Sequence, residues 1–143
     1  MSISCATKSS PPVVLADLGF ASRPGEGSRA TLTSYRFNGS IAVISALGDI
    51  DASNANALME YTVGRAAACR AVVVDLRGLT FFGTEGLEAL QRVGTHCAQT
   101  GRDWTTVPGA AVLRMLQIGD PSSFVPVAPT VDAALAYVSR RSG

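Results

Sequence analysis

The feature that most constrains the fold is the run AVVVDL at residues 71–76. Its continuous, β-branched composition predicts a short strand buried on both faces, as in parallel sheets. Before it, apolar side chains recur every three or four residues, which predicts an amphipathic helix that ends near Cys69 and takes N-cap oxygens from Asp51 or Ser53. Because a helix between two strands makes a crossover, we expect part of the sheet to be parallel. The helical stripe comprises Leu58, Met59, Thr62, Val63 and Ala66.

The rest of the chain continues this alternation of strands and helices. Residues 30–37 and 41–47 have strand composition on either side of the turn signal Asn38-Gly39, which predicts an opening β-hairpin. Strands alternating with helices predict an α/β fold, with one domain over residues 29–143. The later elements are a helix closed by Gly101, a strand at 104–107, a helix at 110–116, an edge strand at Phe124-Val125, and a helix at 131–138 capped by Thr130.

Residues 1–28 differ in composition from the predicted domain. They contain Ser-Ser-Pro-Pro and the polar run 22–28, which are turn and linker chemistry, around one apolar patch at residues 13–15. We therefore expect a flexible N-terminal arm that docks locally.

Charge and hydropathy exclude several classes of function. The net charge is +1, from 12 basic and 11 acidic residues, so the positive field of a nucleic-acid-binding protein is missing. The N-terminus lacks a signal-peptide pattern, and no apolar stretch reaches membrane-spanning length. We expect no nucleic-acid partner, no membrane insertion and a cytoplasmic location.

Cysteine and histidine are too sparse for a structural zinc site. The chain has three cysteines and one histidine, His96, without a C-x-x-C pair. No metal site is predicted. Cys69 and Cys97 are expected to be small apolar residues on helices, and a redox role for the two together stays open.

A predicted strand changes to a predicted helix within LTFFGTEGLEAL, residues 79–90: the apolar strand pattern breaks at Gly83 and a helical pattern begins. We call residues 83–87 the corner. The string Gly83-Thr84-Glu85-Gly86 is one residue short of the G-x-S-x-G nucleophile elbow, and neither a Walker A loop nor G-x-G-x-x-G occurs in the chain. We predict no nucleotide or other cofactor. Two interpretations stay open: a helix start with Thr84 as cap and Glu85 as partner of the helix dipole, or a regulatory site.

Asp49 and Asp51 flank Ile50 just after a predicted strand. They could bind a metal or act as an acid–base pair, but no third acidic or histidine ligand lies nearby in the sequence. A simpler interpretation makes Asp51 a helix cap and Asp49 a loop residue, with partner binding as the alternative. His96 is expected on the surface, so no catalytic constellation emerges and we expect a protein that is not an enzyme.

The string DLRGLTFFGTEGL, residues 75–87, resembles the STAS domain of the anti-sigma factor antagonists, whose pattern is a strand ending in D-L and then L-x-F-x-D-S-S-G-L opening a helix. The string Gly48-Asp49-Ile50-Asp51 is similar to that family's G-E-L-D, and residues 124–135 resemble its closing strand and helix. The resemblance covers about residues 29–139. It implies a STAS fold: a four- to five-stranded mixed sheet with about four helices, packed mainly on one face.

The chain departs from the family pattern at the D-S-S-G motif, which contains the phosphorylated serine. In the antagonists a kinase-type anti-sigma factor phosphorylates the second serine of D-S-S-G. The family's aspartate falls on Gly83, its first serine on Thr84 and its phosphorylated serine on Glu85, whereas Gly86 and Leu87 are kept. Glutamate cannot accept phosphate, so Glu85 predicts either a permanently inactive mimic of the phosphorylated form or a permanently competent one, with Thr84 as a substitute acceptor in a third alternative.

The resemblance implies a non-enzymatic regulator of sigma-factor-dependent transcription. Its partner would be an anti-sigma factor of the GHKL kinase type, bound through Asp49, Asp51 and residues 83–87. The alternative is a cytoplasmic STAS subunit that binds the ATPase of a lipid or solute ABC transporter. The oligomeric state and the role of the N-terminal arm do not follow from the sequence.

Overall fold

A computed structural model describes residues 13–14, 29–120 and 123–142 of the chain. In these residues a five-stranded sheet has the order β1-β2-β3-β4-β5, and four helices accompany it. The strands are β1 (Val13–Val14), β2 (Ala30–Phe37), β3 (Ile41–Ile50), β4 (Ala71–Phe82) and β5 (Asp103–Pro108); the helices are α1 (Ala55–Ala66), α2 (Thr84–Gln99), α3 (Ala110–Gly119) and α4 (Val131–Ser142).

The sheet is mixed, as predicted. β2 and β3 form the expected antiparallel hairpin, and its turn places Asn38 and Gly39 at φ 53° and 72°. β3 pairs in parallel with β4, and β4 with β5, so α1 and α2 are the crossover helices. Val13–Val14 pairs antiparallel with β2, so this part of the predicted arm docks on the sheet edge. The arm's other residues, 1–12 and 15–28, lie outside the described residues.

The sheet has a core on each face. α1, α2 and α3 pack on one face and α4 on the other, which agrees with helices mainly on one face. β4 lies between the two cores, and the predicted burial of the 71–76 run is confirmed because Val72, Val73 and Leu76 are fully buried. The first core includes Leu32, Ile44, Ile50, Leu58, Val72, Leu90 and Val112, and the second includes Ile41, Val43, Val73, Val107, Ala134 and Val138.

Several predicted element bounds are wrong: β3 continues to Ile50 and β4 to Phe82, three and six residues beyond their predicted ends. α1 ends at Ala66, and Cys69 lies in the turn that follows it. The edge strand predicted at Phe124-Val125 is replaced by a single parallel bridge between Thr106 and Val127. The reason lies in Asp120, whose buried carboxylate accepts hydrogen bonds from the N–H groups of residues 124 and 125 and removes both donors from the sheet ladder.

No helix in the described residues combines the length and the apolar character needed to cross a bilayer.

Both described cysteines are free and buried in the core. Cys97 lies on α2 as predicted, whereas Cys69 does not lie on a helix. Burial raises the pKa of the Cys97 thiol to about 11; Arg102 opposes this rise and Asp103 adds to it. The reactive thiolate is therefore disfavoured at neutral pH, which argues against redox chemistry at Cys97.

We predict that native Cys97 resists iodoacetamide at pH 8 and reacts rapidly once the chain is unfolded, as measured by mass spectrometry of its peptide. Because a thiol in an unfolded chain ionises near a pH of about 8.5, ionisation favours the unfolded state above that pH. Folding stability should therefore fall as the pH rises from about 8.5 towards 11. A Cys97→Ala variant should lose this part of the pH dependence. Rapid labelling of the folded protein at pH 8 would contradict the prediction.

Candidate functional site

The corner is built where two parallel strands end side by side. Asp49 is paired with Phe81 and Ile50 with Phe82 in the β3–β4 ladder. The N–H of Gly83 donates to the carbonyl of Ile50 at 3.0 Å, which ties the start of α2 to the end of β3. Parallel pairing thus brings together the Asp49–Asp51 segment and the Gly83–Leu87 segment, which are more than thirty residues apart in the sequence. They meet where the carboxyl ends of the central strands β3 and β4 lie side by side.

Gly83, and not Thr84, is the N-cap of α2, so the predicted cap is wrong. Gly83 is extended (φ −87°, ψ −179°), and its carbonyl accepts hydrogen bonds from the N–H groups of Gly86 and Leu87 at 3.0 and 3.3 Å. No side chain caps this terminus, and Thr84 is the first helical residue. Glu85 is the acidic residue of the first turn, where its charge is favoured by the helix dipole as expected.

Asp51 shapes the turn before α1 without capping the helix. Its Oδ1 accepts hydrogen bonds from the N–H and the hydroxyl of Ser53 at 2.8 and 2.6 Å. The N-cap position belongs to Asn54, which is buried and whose side chain bonds the N–H of Asp51 and the carbonyl of Asp49. The predicted cap at Asp51 or Ser53 is therefore wrong. The side-chain hydrogen bonds of Asn54 hold a turn between β3 and α1, and the helix begins only after that turn, at Ala55.

Asp49 lies on β3, although the sequence suggested a loop residue, because the strand continues to Ile50. Its Oδ1 accepts a hydrogen bond of 2.6 Å from the hydroxyl of Thr80, on the neighbouring strand. The carboxylate is half-buried and keeps its second oxygen outside this bond. The hydroxyl of Thr80 on β4 thus holds Asp49 at the same end of the two strands as the corner.

The predicted site residues divide into two groups by exposure. Thr84 and Glu85 are exposed, while Gly83, Gly86 and Leu87 are buried. Gly86 packs on the ring of Phe82, which would lie 2.6 Å from a Cβ at this position, and Leu87 is only 5% exposed in the core. Gly83, Gly86 and Leu87 are therefore not available for contact with a partner. They hold the backbone that exposes Thr84 and Glu85.

Phe81 was not singled out from the sequence as a site residue. It is 51% exposed, and its ring would lie 3.3 Å from a Cβ on Gly83, which places it beside the corner. Alternation on a strand places Phe81 and Phe82 on opposite faces of the sheet, but because both faces carry a core, the sequence alone did not show that Phe81 is exposed. We call Asp49, Asp51, Phe81, Thr84 and Glu85 together the corner surface.

A small groove borders the corner. It lies between α1 and α2, has a volume of about 130 Å³ and is lined by residues that include Met59, Glu85 and Arg92. Pockets for small molecules are commonly about 300–1,000 Å³, so this groove is too small for a cofactor. No group of three or more His, Cys, Asp or Glu side chains comes together for a metal among the described residues. His96 is half-buried near the end of α2.

Comparison with known proteins gives a consistent match. The family model of the STAS domain matches residues 33–134. The anti-sigma-F factor antagonist RsfA of Mycobacterium tuberculosis is 31% identical over 113 residues, which cover 76% of this chain and 88% of that protein.

Solved structures show the same architecture. The crystal structure of an anti-sigma factor antagonist from Mycobacterium paratuberculosis is similar to this chain with a TM-score of 0.67 and 27% identity, covering 82% of this chain and 98% of that one. The anti-sigma factor antagonist SpoIIAA in its unphosphorylated form has a TM-score of 0.63 and 13% identity, covering 76% and 96%, so this second likeness shows the fold alone.

We predict that Gly86→Ala destabilises the protein by about 1–3 kcal/mol, the usual effect of overpacking, because the new methyl group meets the buried Phe82 ring. Gly64→Ala is the matched control, since Gly64 is also helical but has open space at its Cβ position. There the substitution should stabilise by about 0.5–1 kcal/mol. Urea unfolding measures both, and equal effects at the two positions would contradict this description of the corner.

Proposed function

Because this chain belongs to the STAS domain family, we propose that it is a non-enzymatic regulator that binds an anti-sigma factor through the corner surface. In doing so it controls sigma-factor-dependent transcription in the cytoplasm. The observation that carries the proposal is that the residues matching the family's two motifs lie together at one edge of the sheet.

The named relatives support the regulatory role. The relative from Mycobacterium tuberculosis is named for antagonism of an anti-sigma-F factor, and the crystal structure from Mycobacterium paratuberculosis is that of an anti-sigma factor antagonist. The matched region spans most of both proteins, so the similarity extends over a whole regulatory protein in each case.

The chemistry of the corner surface suits a protein partner. An exposed aromatic ring, Phe81, lies beside the half-buried carboxylate of Asp49 and the exposed carboxylate of Glu85. Aromatic side chains that become buried on binding supply much of the affinity of protein interfaces, and charges at their rim supply specificity and association rate. The carboxylate of Glu85 makes no hydrogen bond or ion pair with the described residues, which leaves it available to a partner.

The absence of catalysis is part of the proposal. Thr84 is the exposed hydroxyl at the corner, and His96 is twelve residues further along the same helix. At a rise of about 1.5 Å per residue the two lie about 18 Å apart, too far for a base to activate the hydroxyl. We propose a partner of the GHKL kinase type, for which Thr84 is the substitute acceptor to test.

The test is affinity capture from source cells, with the bound proteins identified by mass spectrometry. Recovery of an anti-sigma factor is the expected result. Recovery of an ABC transporter ATPase instead would overturn the proposal and favour the transporter-subunit alternative. If the recovered anti-sigma factor is a kinase, incubation with labelled ATP then shows whether Thr84 accepts phosphate, with Thr84→Val as the control.

We predict that Glu85→Arg weakens binding of the captured anti-sigma factor at least about tenfold, as loss of a charge-assisted contact would. Asp132→Arg is the matched control because Asp132 is also an exposed acidic residue in the first turn of a helix, but α4 packs on the opposite face of the sheet. Both variants should lose about 0.3–1 kcal/mol of stability through the helix dipole. Equal affinities of the two variants, measured by calorimetry, would exclude Glu85 from the interface.

A further inference from the structure

The side chain of Glu85 folds back over Gly83. Its Oε1 would lie 3.1 Å from a Cβ built on Gly83. A Cβ at residue 83 would require the glutamate to move by a few tenths of an ångström, and an aspartate there would bring a second carboxylate next to that of Glu85. Residue 83 and the carboxylate of Glu85 therefore compete for one space at the start of α2.

The closeness of residue 83 to the Glu85 carboxylate links the two departures from the D-S-S-G pattern, which are Gly83 in place of the aspartate and Glu85 in place of the second serine. The pattern has a carboxylate at the position of Gly83 and a hydroxyl at that of Glu85, whereas this chain has no side chain at the first position and a carboxylate at the second. In both arrangements the segment at residues 83–87 has one carboxylate, so the two substitutions together keep its charge.

We propose that Glu85 acts as a displaced substitute for the aspartate of the pattern, and that Gly83 is the positioning residue that leaves it room. This inference rests on the proposed function. As long as Thr84 carries no phosphate, residues 83–87 then have the single charge of an unphosphorylated antagonist, and the protein is competent to bind its partner without dephosphorylation.

The magnitude of the charge separates this inference from a mimic of the phosphorylated state. A phosphoserine carries about −1.5 to −2 at neutral pH, which together with the neighbouring aspartate gives about −2.5 to −3 at the corner. The Gly83–Leu87 segment carries the charge of Glu85 alone. In charge, this segment matches the unmodified arrangement.

The pair can be tested without a partner, using wild type, Gly83→Asp, Glu85→Ser and the double variant. In the wild-type background the new aspartate would place two carboxylates in one space, and Gly83→Asp should lower the melting temperature. In the Glu85→Ser background the neighbouring carboxylate is gone and the Phe81 ring is unchanged, so the aspartate acts as a good N-cap residue and should raise the melting temperature above that of Glu85→Ser. Gly83→Asn controls for size without charge. Effects of Gly83→Asp that are equal in the two backgrounds would overturn the inference.

The functional test measures binding of the same four proteins to the anti-sigma factor recovered by capture. We expect Glu85→Ser to bind at least about tenfold more weakly than wild type, and the double variant to regain most of that loss. If Glu85→Ser binds more tightly than wild type, Glu85 mimics the phosphorylated state and the inference is wrong. If none of the four binds any anti-sigma factor, the proposed function fails, whereas the unfolding experiment still decides whether Gly83 and Glu85 are coupled.

Discussion

The parallel pairing of β3 with β4 fixes the position of everything at the corner. β3 and β4 run three and six residues beyond their predicted ends at residues 47 and 76. Their last paired residues are Ile50 and Phe82. The hydrogen bond from Gly83 to Ile50 then sets the direction in which α2 leaves the sheet. Because both side chains at this end are buried, the strands cannot slip relative to each other without exposing apolar surface.

Hydrogen bonds and buried packing hold most of the corner surface in a defined geometry. Asp49 is held by Thr80 across the two strands, and Asp51 is held by the turn that Asn54 closes. The buried packing of Gly86 and Leu87 fixes the first turn of α2 from below. The carboxylates of Asp49 and Asp51 are therefore held in position by hydrogen bonds, and a partner that binds them would order few additional side-chain rotamers.

Much of the fold was predictable from composition and periodicity. The hairpin follows from strand composition around Asn38-Gly39, the buried strand from the continuous β-branched run at 71–76, and the crossover helices from apolar residues at spacings of three and four. The failures occurred where short-range polar contacts compete with those patterns. Asn54 and Gly83 take the two N-cap positions, and Asp120 captures the N–H groups that the predicted edge strand needed. Such competition depends on which donors come within reach, and spacing alone does not reveal it.

The sequence by itself determined the fold class, the family, and the identity of the residues at the corner other than Phe81, because each depends on composition and order along the chain. Only the tertiary structure decided which of those residues are exposed and which are buried. It buried Leu87 and left Phe81 exposed, and it placed the carboxylate of Glu85 in the space beside Gly83. The physical reason is that exposure and mutual exclusion are properties of atoms in three dimensions. They are settled by the packing of β3, β4 and α2 together, which no single segment encodes.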